Sequence, residues 1–206
     1  MLEARNLECT RGDHVLFSNL DFSLEAGELV HLRGSNGSGK TSLLRTLCGL
    51  FMPTEGEVLW KNQNINELRE EYFKELSYFG HLNAIKDELT GIENLKIDSK
   101  LVGVDVSEDD IVDALEQMGL QGREDLPTKF LSQGQKRRVA LARLLFSQTK
   151  LWILDEPFTA LDVAAVDFLQ SLISKHIEKG GLVILTTHQD VSITADKNAR
   201  QLNLDS

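Results

Sequence analysis

Short apolar runs divided by turn signals dominate the chain, and two of them lack any polar interruption. Leu151-Trp152-Ile153-Leu154 and Leu182-Val183-Ile184-Leu185 have the pattern of strands covered on both faces, as in a parallel sheet. Helical periodicity lies around them. Ser42 to Leu50 puts Leu43, Leu44, Leu47 and Cys48 on one side, with Gly49 near the end. Ile111, Leu115 and Met118 form the stripe of a helix that Ser107 opens, with the acidic first turn Glu108-Asp109-Asp110, and Gly119 stops. Thr90 with Glu93, and Ser132 with Gln135, have the form of capping boxes. Val163 to Lys179 reads as an amphipathic helix ended by Gly180-Gly181, ahead of the strand Leu182 to Thr187. Met1 to Arg33 reads instead as strands, with turns at Arg11-Gly12-Asp13 and Ala26-Gly27-Glu28, and Pro53 and Gly56 turn the chain into another strand, Glu57 to Trp60. Buried strands alternating with helices predict an α/β fold with a parallel-sheet core, into which the polar, helical middle is inserted.

Composition narrows the setting. At 206 residues and 41% hydrophobic the chain can build a sizeable core. No apolar run approaches the roughly 20 residues of a membrane-spanning helix. Glu3, Arg5 and Glu8 stand where a secretory signal needs apolar residues. Two cysteines, Cys9 and Cys48, make no spaced framework and fit a reducing cytoplasm. The net charge of -10 argues against a general nucleic-acid binder. It leaves room for a nucleotide held at a locally basic, metal-bridged site.

Such a site is written in one segment. Gly34-Ser35-Asn36-Gly37-Ser38-Gly39-Lys40-Thr41 matches G-x-x-x-x-G-K-[ST] at every fixed position, between an expected strand and an expected helix. Its glycines let backbone N–H groups turn inward on phosphate oxygens, and the helix beginning near Ser42 adds its positive end. Lys40 would reach the β- and γ-phosphates of ATP, and the Thr41 hydroxyl would bind Mg²⁺. The motif establishes nucleotide binding without choosing among nucleotide hydrolases.

Three further segments make that choice. Leu131-Ser132-Gln133-Gly134-Gln135 resembles the ABC signature LSGGQ, with Gln133 in place of a glycine. Read blandly it is only a capped helix carrying the basic surface Lys136-Arg137-Arg138. Leu151 to Glu156 has the form of a Walker B strand, with Asp155 on the Mg²⁺ side and Glu156 as general base for the attacking water. Thr187-His188 resembles the switch histidine that contacts the γ-phosphate, although a histidine after a strand is often incidental. Thr159-Ala160-Leu161-Asp162 resembles the D-loop, and all these segments stand in the ABC order along essentially the whole chain.

That resemblance implies a single ABC cassette over residues 1–206: a RecA-like parallel-sheet core, an N-terminal antiparallel β-subdomain, and an α-helical subdomain at about 86–148. It implies a second copy as partner. The P-loop and Walker B of one subunit hold Mg-ATP, and Ser132, Gly134 and Gln135 of the other close over the γ-phosphate. Lys40, Glu156 and His188 would carry the hydrolysis.

Two positions depart from the common ABC pattern. Arg11 occupies the turn where an adenine-stacking aromatic usually lies; its guanidinium could stack on the base or simply be solvated. His81 replaces the Q-loop glutamine and could meet the Mg²⁺ site or remain a surface residue. With LSQGQKRRVALARL, DEPFTALD and TTHQ, these departures resemble the ATPase subunits of cytochrome c maturation systems, long described as haem exporters. Membership there implies integral-membrane partner subunits, a peripheral position on the cytoplasmic side of the bacterial inner membrane, and ATP hydrolysis coupled to haem export or release of a haem chaperone. No C-x-x-C-H motif is present for direct haem attachment. Alternatives are another ABC exporter or importer, or a soluble ABC ATPase of translation or DNA repair. The soluble classes usually carry a second cassette or long coiled coils, and neither stands in this sequence. A P-loop kinase would leave the signature and the Asp155-Glu156 pair unexplained.

Overall fold

The turn pattern resolves into two sheets and the helices packed on them. The computed structural model describes residues 1–189 and 199–205. In chain order it runs β1 (Leu2–Arg11), β2 (His14–Leu24), β3 (Leu29–Arg33), α1 (Lys40–Leu47), β4 (Glu55–Trp60), β5 (Gln63–Asn64), α2 (Ile65–Leu68), α3 (Glu70–Phe73) and β6 (Leu76–Phe79). Then come α4 (Gly91–Leu101), α5 (Glu108–Gln117), α6 (Gln133–Ala142), β7 (Leu151–Asp155), α7 (Val163–Glu178), β8 (Leu182–Thr186) and β9 (Ala199–Asn203).

β1, β2, β4 and β5 form an antiparallel sheet in the order β2-β1-β4-β5. The second sheet is wholly parallel, in the order β6-β7-β8-β3-β9. Helices α4, α5 and α6 lie in sequence between β6 and β7, which are direct neighbours in that sheet. Every residue of β7 and β8 is buried, as their unbroken apolar runs predict.

Alternation along these strands divides the interior in two. Trp152, Leu154, Val183 and Leu185 face one cluster with Ile111, Leu115 and Met118 of the middle segment and Leu169 and Ile173 of α7. Ile153, Ile184, Val30 and Leu32 face a second cluster with Leu43, Leu44 and Leu47 of α1 and Leu2, Leu7 and Trp60 of the antiparallel sheet. Burying each such leucine or isoleucine side chain stabilises by about 1.5–3 kcal/mol before conformational entropy is charged against it. The parallel sheet is thus held on both faces, with the C-terminal ends of β3, β7 and β8 left to carry loops.

The helix starts follow local chemistry. Thr90 Oγ1 accepts from the Glu93 N–H at 3.1 Å, and Glu93 Oε2 accepts from the Thr90 N–H at 2.9 Å, a complete capping box for α4. Ser107 Oγ accepts from the Asp110 N–H at the start of α5. Helix α1 begins two residues earlier than the Ser42 start its apolar stripe suggests, because Lys40 and Thr41 already belong to its first turn. It stops at Leu47 rather than Leu50, where Gly49 at φ 71° reverses the chain. Among the described residues no helix is long and apolar enough to cross a membrane.

Candidate nucleotide site

The loop Gly34–Gly39 joins the end of β3 to α1. Gly39 caps the helix in the left-handed region at φ 99°, and a Cβ there would lie 3.0 Å from Leu16 Cβ and 3.2 Å from the Phe17 ring, so only glycine fits both demands. Lys40 Nζ spans the loop, donating to the carbonyls of Gly34 at 2.7 Å and Ser35 at 3.0 Å. Asn36 and Gly37 are exposed and Ser42 is half-buried. Ser38 Oγ is buried without a hydrogen-bond partner, a donor placed where a phosphate oxygen would satisfy it. Ser35 donates twice to Asp205, from its N–H at 2.7 Å and its hydroxyl at 2.9 Å.

A chain of hydrogen bonds connects this loop to the carboxylates at the end of β7. Thr41 Oγ1 donates to Asp155 Oδ2 at 3.0 Å, and Thr186 Oγ1 donates to Asp155 Oδ1 at 2.8 Å. The Glu156 N–H donates to the same Thr186 hydroxyl at 2.9 Å. Asp155 and Thr186 are cross-strand neighbours on β7 and β8, which is why one threonine serves both carboxylate residues. Glu156 takes a left-handed backbone at φ 49°, a conformation a non-glycine residue holds only when its surroundings fix it. Its Oε1 is shielded from solvent and makes no hydrogen bond, and His188 Nε2 stands 3.4 Å from it.

The signature segment sits on α6. Ser132 Oγ accepts from the Gln135 N–H at 3.2 Å, and Gln135 Oε1 accepts from the Ser132 N–H at 2.9 Å. Ser132 and Gln133 are exposed. Gly134 is pressed against the Ala160 carbonyl, where a Cβ would collide, so the signature and the Thr159–Asp162 loop are packed backbone to backbone. Among the described residues no hydrogen bond or ion pair joins Ser132, Gly134 or Gln135 to the phosphate loop. The structure therefore brings Lys40, Thr41, Asp155, Glu156 and His188 together and keeps the signature apart.

The basic run after the signature does not form the basic surface of the bland alternative. Lys136, Arg137 and Arg138 are not a solvated surface: Arg137 is buried, and the other two side chains are 13% and 17% exposed. Lys136 pairs with Asp87 at 2.5 Å and Arg138 lies 3.6 Å from Asp162. Burial pulls the Arg137 pKa down to about 10, only partly offset by Asp155 and Glu156, so it keeps its charge at neutral pH. Its carbonyl acceptors lie in loops distant in sequence, so no local pattern marks it as internal.

Arg11 ends β1 and is exposed, lining an open cleft with Ser35, Gly37, Ser38 and Asp205. The side chain of His81 is exposed, while its carbonyl accepts from Arg137 Nη1 at 3.1 Å. Thr186 and Asp205 were not marked by sequence. Thr186 reads only as part of the expected strand Leu182 to Thr187, which in the structure ends at Thr186 itself, and Asp205 is 170 positions from its partner Ser35.

Residues 17–159 match the family model for the ABC transporter. The chain belongs to that family. The "Cytochrome c biogenesis ATP-binding export protein CcmA" of Dechloromonas aromatica (strain RCB) is 58% identical over 204 residues, 99% of this chain and all of that protein. The protein of the same name in Escherichia coli (strain K12) is 50% identical over 99% of this chain and 96% of its own length. Among solved structures, a putative ABC transporter ATP-binding protein from Pyrococcus furiosus superposes with TM-score 0.84 at 27% identity, covering 99% of this chain and 97% of that one. A dimeric ATP-binding cassette in a post-hydrolysis state, bound to ADP and Pi, superposes with TM-score 0.81 at 25% identity over 98% of this chain and 94% of that chain. As an ABC ATPase the chain is an ATP-binding protein of α/β P-loop fold, and ATP hydrolysis is the activity of its family.

Proposed function

We propose that this chain is the ATP-hydrolysing subunit of a cytochrome c biogenesis ABC exporter, a haem-transporting ATPase of the translocase class. The chain of hydrogen bonds from Thr41 through Asp155 and Thr186 to Glu156 carries the hydrolytic part of the reading. The relatives at 47% to 59% identity, all carrying the cytochrome c biogenesis name, support the transport part.

In this reading the loop from Gly34 to Ser42 wraps the phosphates, with Lys40 leaving its loop carbonyls for the β- and γ-phosphates. Thr41 Oγ1 and Asp155 Oδ2, oxygen donors 3.0 Å apart, fit Mg²⁺, which would neutralise charge on the transferring phosphoryl group. His81, whose backbone shares a guanidinium with those of Asp155 and Glu156, belongs to the metal side of the same site. Arg11, exposed in the cleft it shares with Ser35 and Ser38, would cover the adenine. Glu156 takes the proton from the attacking water; its left-handed backbone and an Oε1 without a hydrogen bond fit a carboxylate held ready for one. His188 beside it contacts the γ-phosphate. Ser132, Gly134 and Gln135 act across a two-fold on the partner's ATP, which agrees with their separation from this chain's own loop. Residues 1–206 then form one cassette with its helical module at about 86–148, set peripherally against integral-membrane subunits on the cytoplasmic side of the inner membrane.

Detergent extraction of cells bearing a tagged chain, with mass identification of what comes with it, tests the assembly. Integral-membrane subunits are expected, with a haem-carrying protein retained until ATP is added. Recovery of the chain without any membrane protein would sink the transport reading.

A further inference from the structure

Arg137 connects two loops through one buried guanidinium. Nη1 donates to the Gly80 carbonyl at 3.3 Å, the His81 carbonyl at 3.1 Å and Asn83 Oδ1 at 3.1 Å. Nη2 donates to the carbonyls of Asp155 at 3.1 Å and Glu156 at 2.6 Å. The guanidinium carbon lies 4.2 Å from the centre of the Phe79 ring, at the end of β6. All five acceptors are neutral oxygens, and Nε is buried without a partner. As a source of stability this is a poor arrangement, because a buried charge without a carboxylate contact costs more desolvation than an apolar side chain of the same volume.

What the arrangement supplies is position. The Glu156 backbone is held at both ends, its N–H by the Thr186 hydroxyl at 2.9 Å and its carbonyl by Arg137 at 2.6 Å. Those two bonds fix a residue whose φ of 49° its own sterics disfavour. The opposite side of the same guanidinium fixes residues 80–83, so that loop cannot shift without releasing or dragging the carbonyl of Glu156.

We infer that Arg137 is a positioning residue for ATP hydrolysis, setting the Glu156 carboxylate through its backbone and coupling it to the 80–83 loop. This rests on Glu156 being the base. Lysine cannot replace the arginine: an ammonium is a single point of charge, whereas the planar fork reaches both loops at once.

The test uses the full chain in its membrane complex and measures ATP Kd and kcat for Arg137→Lys, Arg137→Met, Glu156→Gln and the Arg137→Lys/Glu156→Gln double variant. Both Arg137 variants are expected to hold Kd within about threefold while kcat falls at least about tenfold. In the Glu156→Gln background, Arg137→Lys is expected to change kcat by less than about twofold, because both act through one group. A kcat in Arg137→Lys within threefold of the parent overturns the positioning role, and so does a second loss of about tenfold multiplied onto Glu156→Gln. Parental kcat in Glu156→Gln overturns the reading of the carboxylate itself and takes the coupling with it. Should neither Arg137 variant fold, Asn83→Ala decides: it removes one acceptor, and an unchanged kcat counts against the coupling while a drop of about threefold at constant Kd supports it.

Discussion

Asp155 and Glu156 are adjacent in sequence, yet the site uses them differently. Asp155 has both oxygens engaged by threonine hydroxyls, and Glu156 has an oxygen without a hydrogen bond. Replacing Glu156 by Gln is therefore expected to leave ATP binding intact and slow hydrolysis by about 10²–10⁴-fold, trapping an ATP-bound dimer; turnover at the parental rate removes Glu156 as the base. Lys40→Ala should weaken ATP binding itself, and an unchanged Kd by fluorescence titration would contradict the assignment of the loop. Thr186→Val strips the hydroxyl that Asp155 and Glu156 share. It is expected to cost about 1–3 kcal/mol in denaturant unfolding, because it leaves a buried carboxylate oxygen unpaired. Lys40 and Thr41 were legible in the sequence because fixed spacing along one loop encodes them, and the carboxylate pair because it closes an unbroken apolar strand. Thr186 was not, since its role comes from strand register, and nothing near Arg137 in the sequence marks it as internal, because its five acceptors lie in remote loops.

At the scale of elements, legibility followed burial. β7 and β8 announce themselves because both faces are covered and no polar residue interrupts them. The helix starts at Thr90, Ser107 and Ser132 announce themselves because a cap is local chemistry. The four-residue helices α2 and α3 are too short for a 3.6-residue period, and β9, an edge strand of partly exposed residues, carries no apolar alternation. One contact between elements predicts a pH dependence. The Trp152 and His176 rings stack at 3.9 Å and 5°, and His176 Nε2 lies 3.2 Å from the Lys150 carbonyl. Burial lowers the His176 pKa from 6.5, opposed by the Lys150 carbonyl and assisted by the charge of Lys179. Its folded-state value lies below its unfolded one, so this contribution to stability is present above about pH 6.5 and is lost as the pH falls. Melting temperatures between pH 7.5 and 5.5 are expected to fall more steeply for the parent than for His176→Gln. Parallel slopes would show that the stack does not report protonation.

At the scale of the whole molecule, the parallel sheet carries one group of residues at its strand ends and the signature stands apart on α6. If each ATP site takes its base from one subunit and Ser132 from the other, Ser132→Arg and Glu156→Gln subunits are each inactive alone. Mixed and allowed to exchange, they should recover hydrolysis to about a quarter of the parental rate, since about half of the dimers pair unlike and each of these has one intact site of two. A mixture no faster than the sum of its parts would mean that each site is complete within one chain. The sheet's order also joins distant parts of the sequence. β3, which leads into the phosphate loop, is flanked by β9, and Ser35 is held by Asp205 across 170 positions. Synthesis on a ribosome delivers β3 long before β9. At about 5–20 residues per second, the newborn loop waits on the order of ten to thirty seconds for this support. Until then β3 offers a bare backbone edge to other nascent chains, and the ATP-binding loop is among the last parts of the molecule to mature.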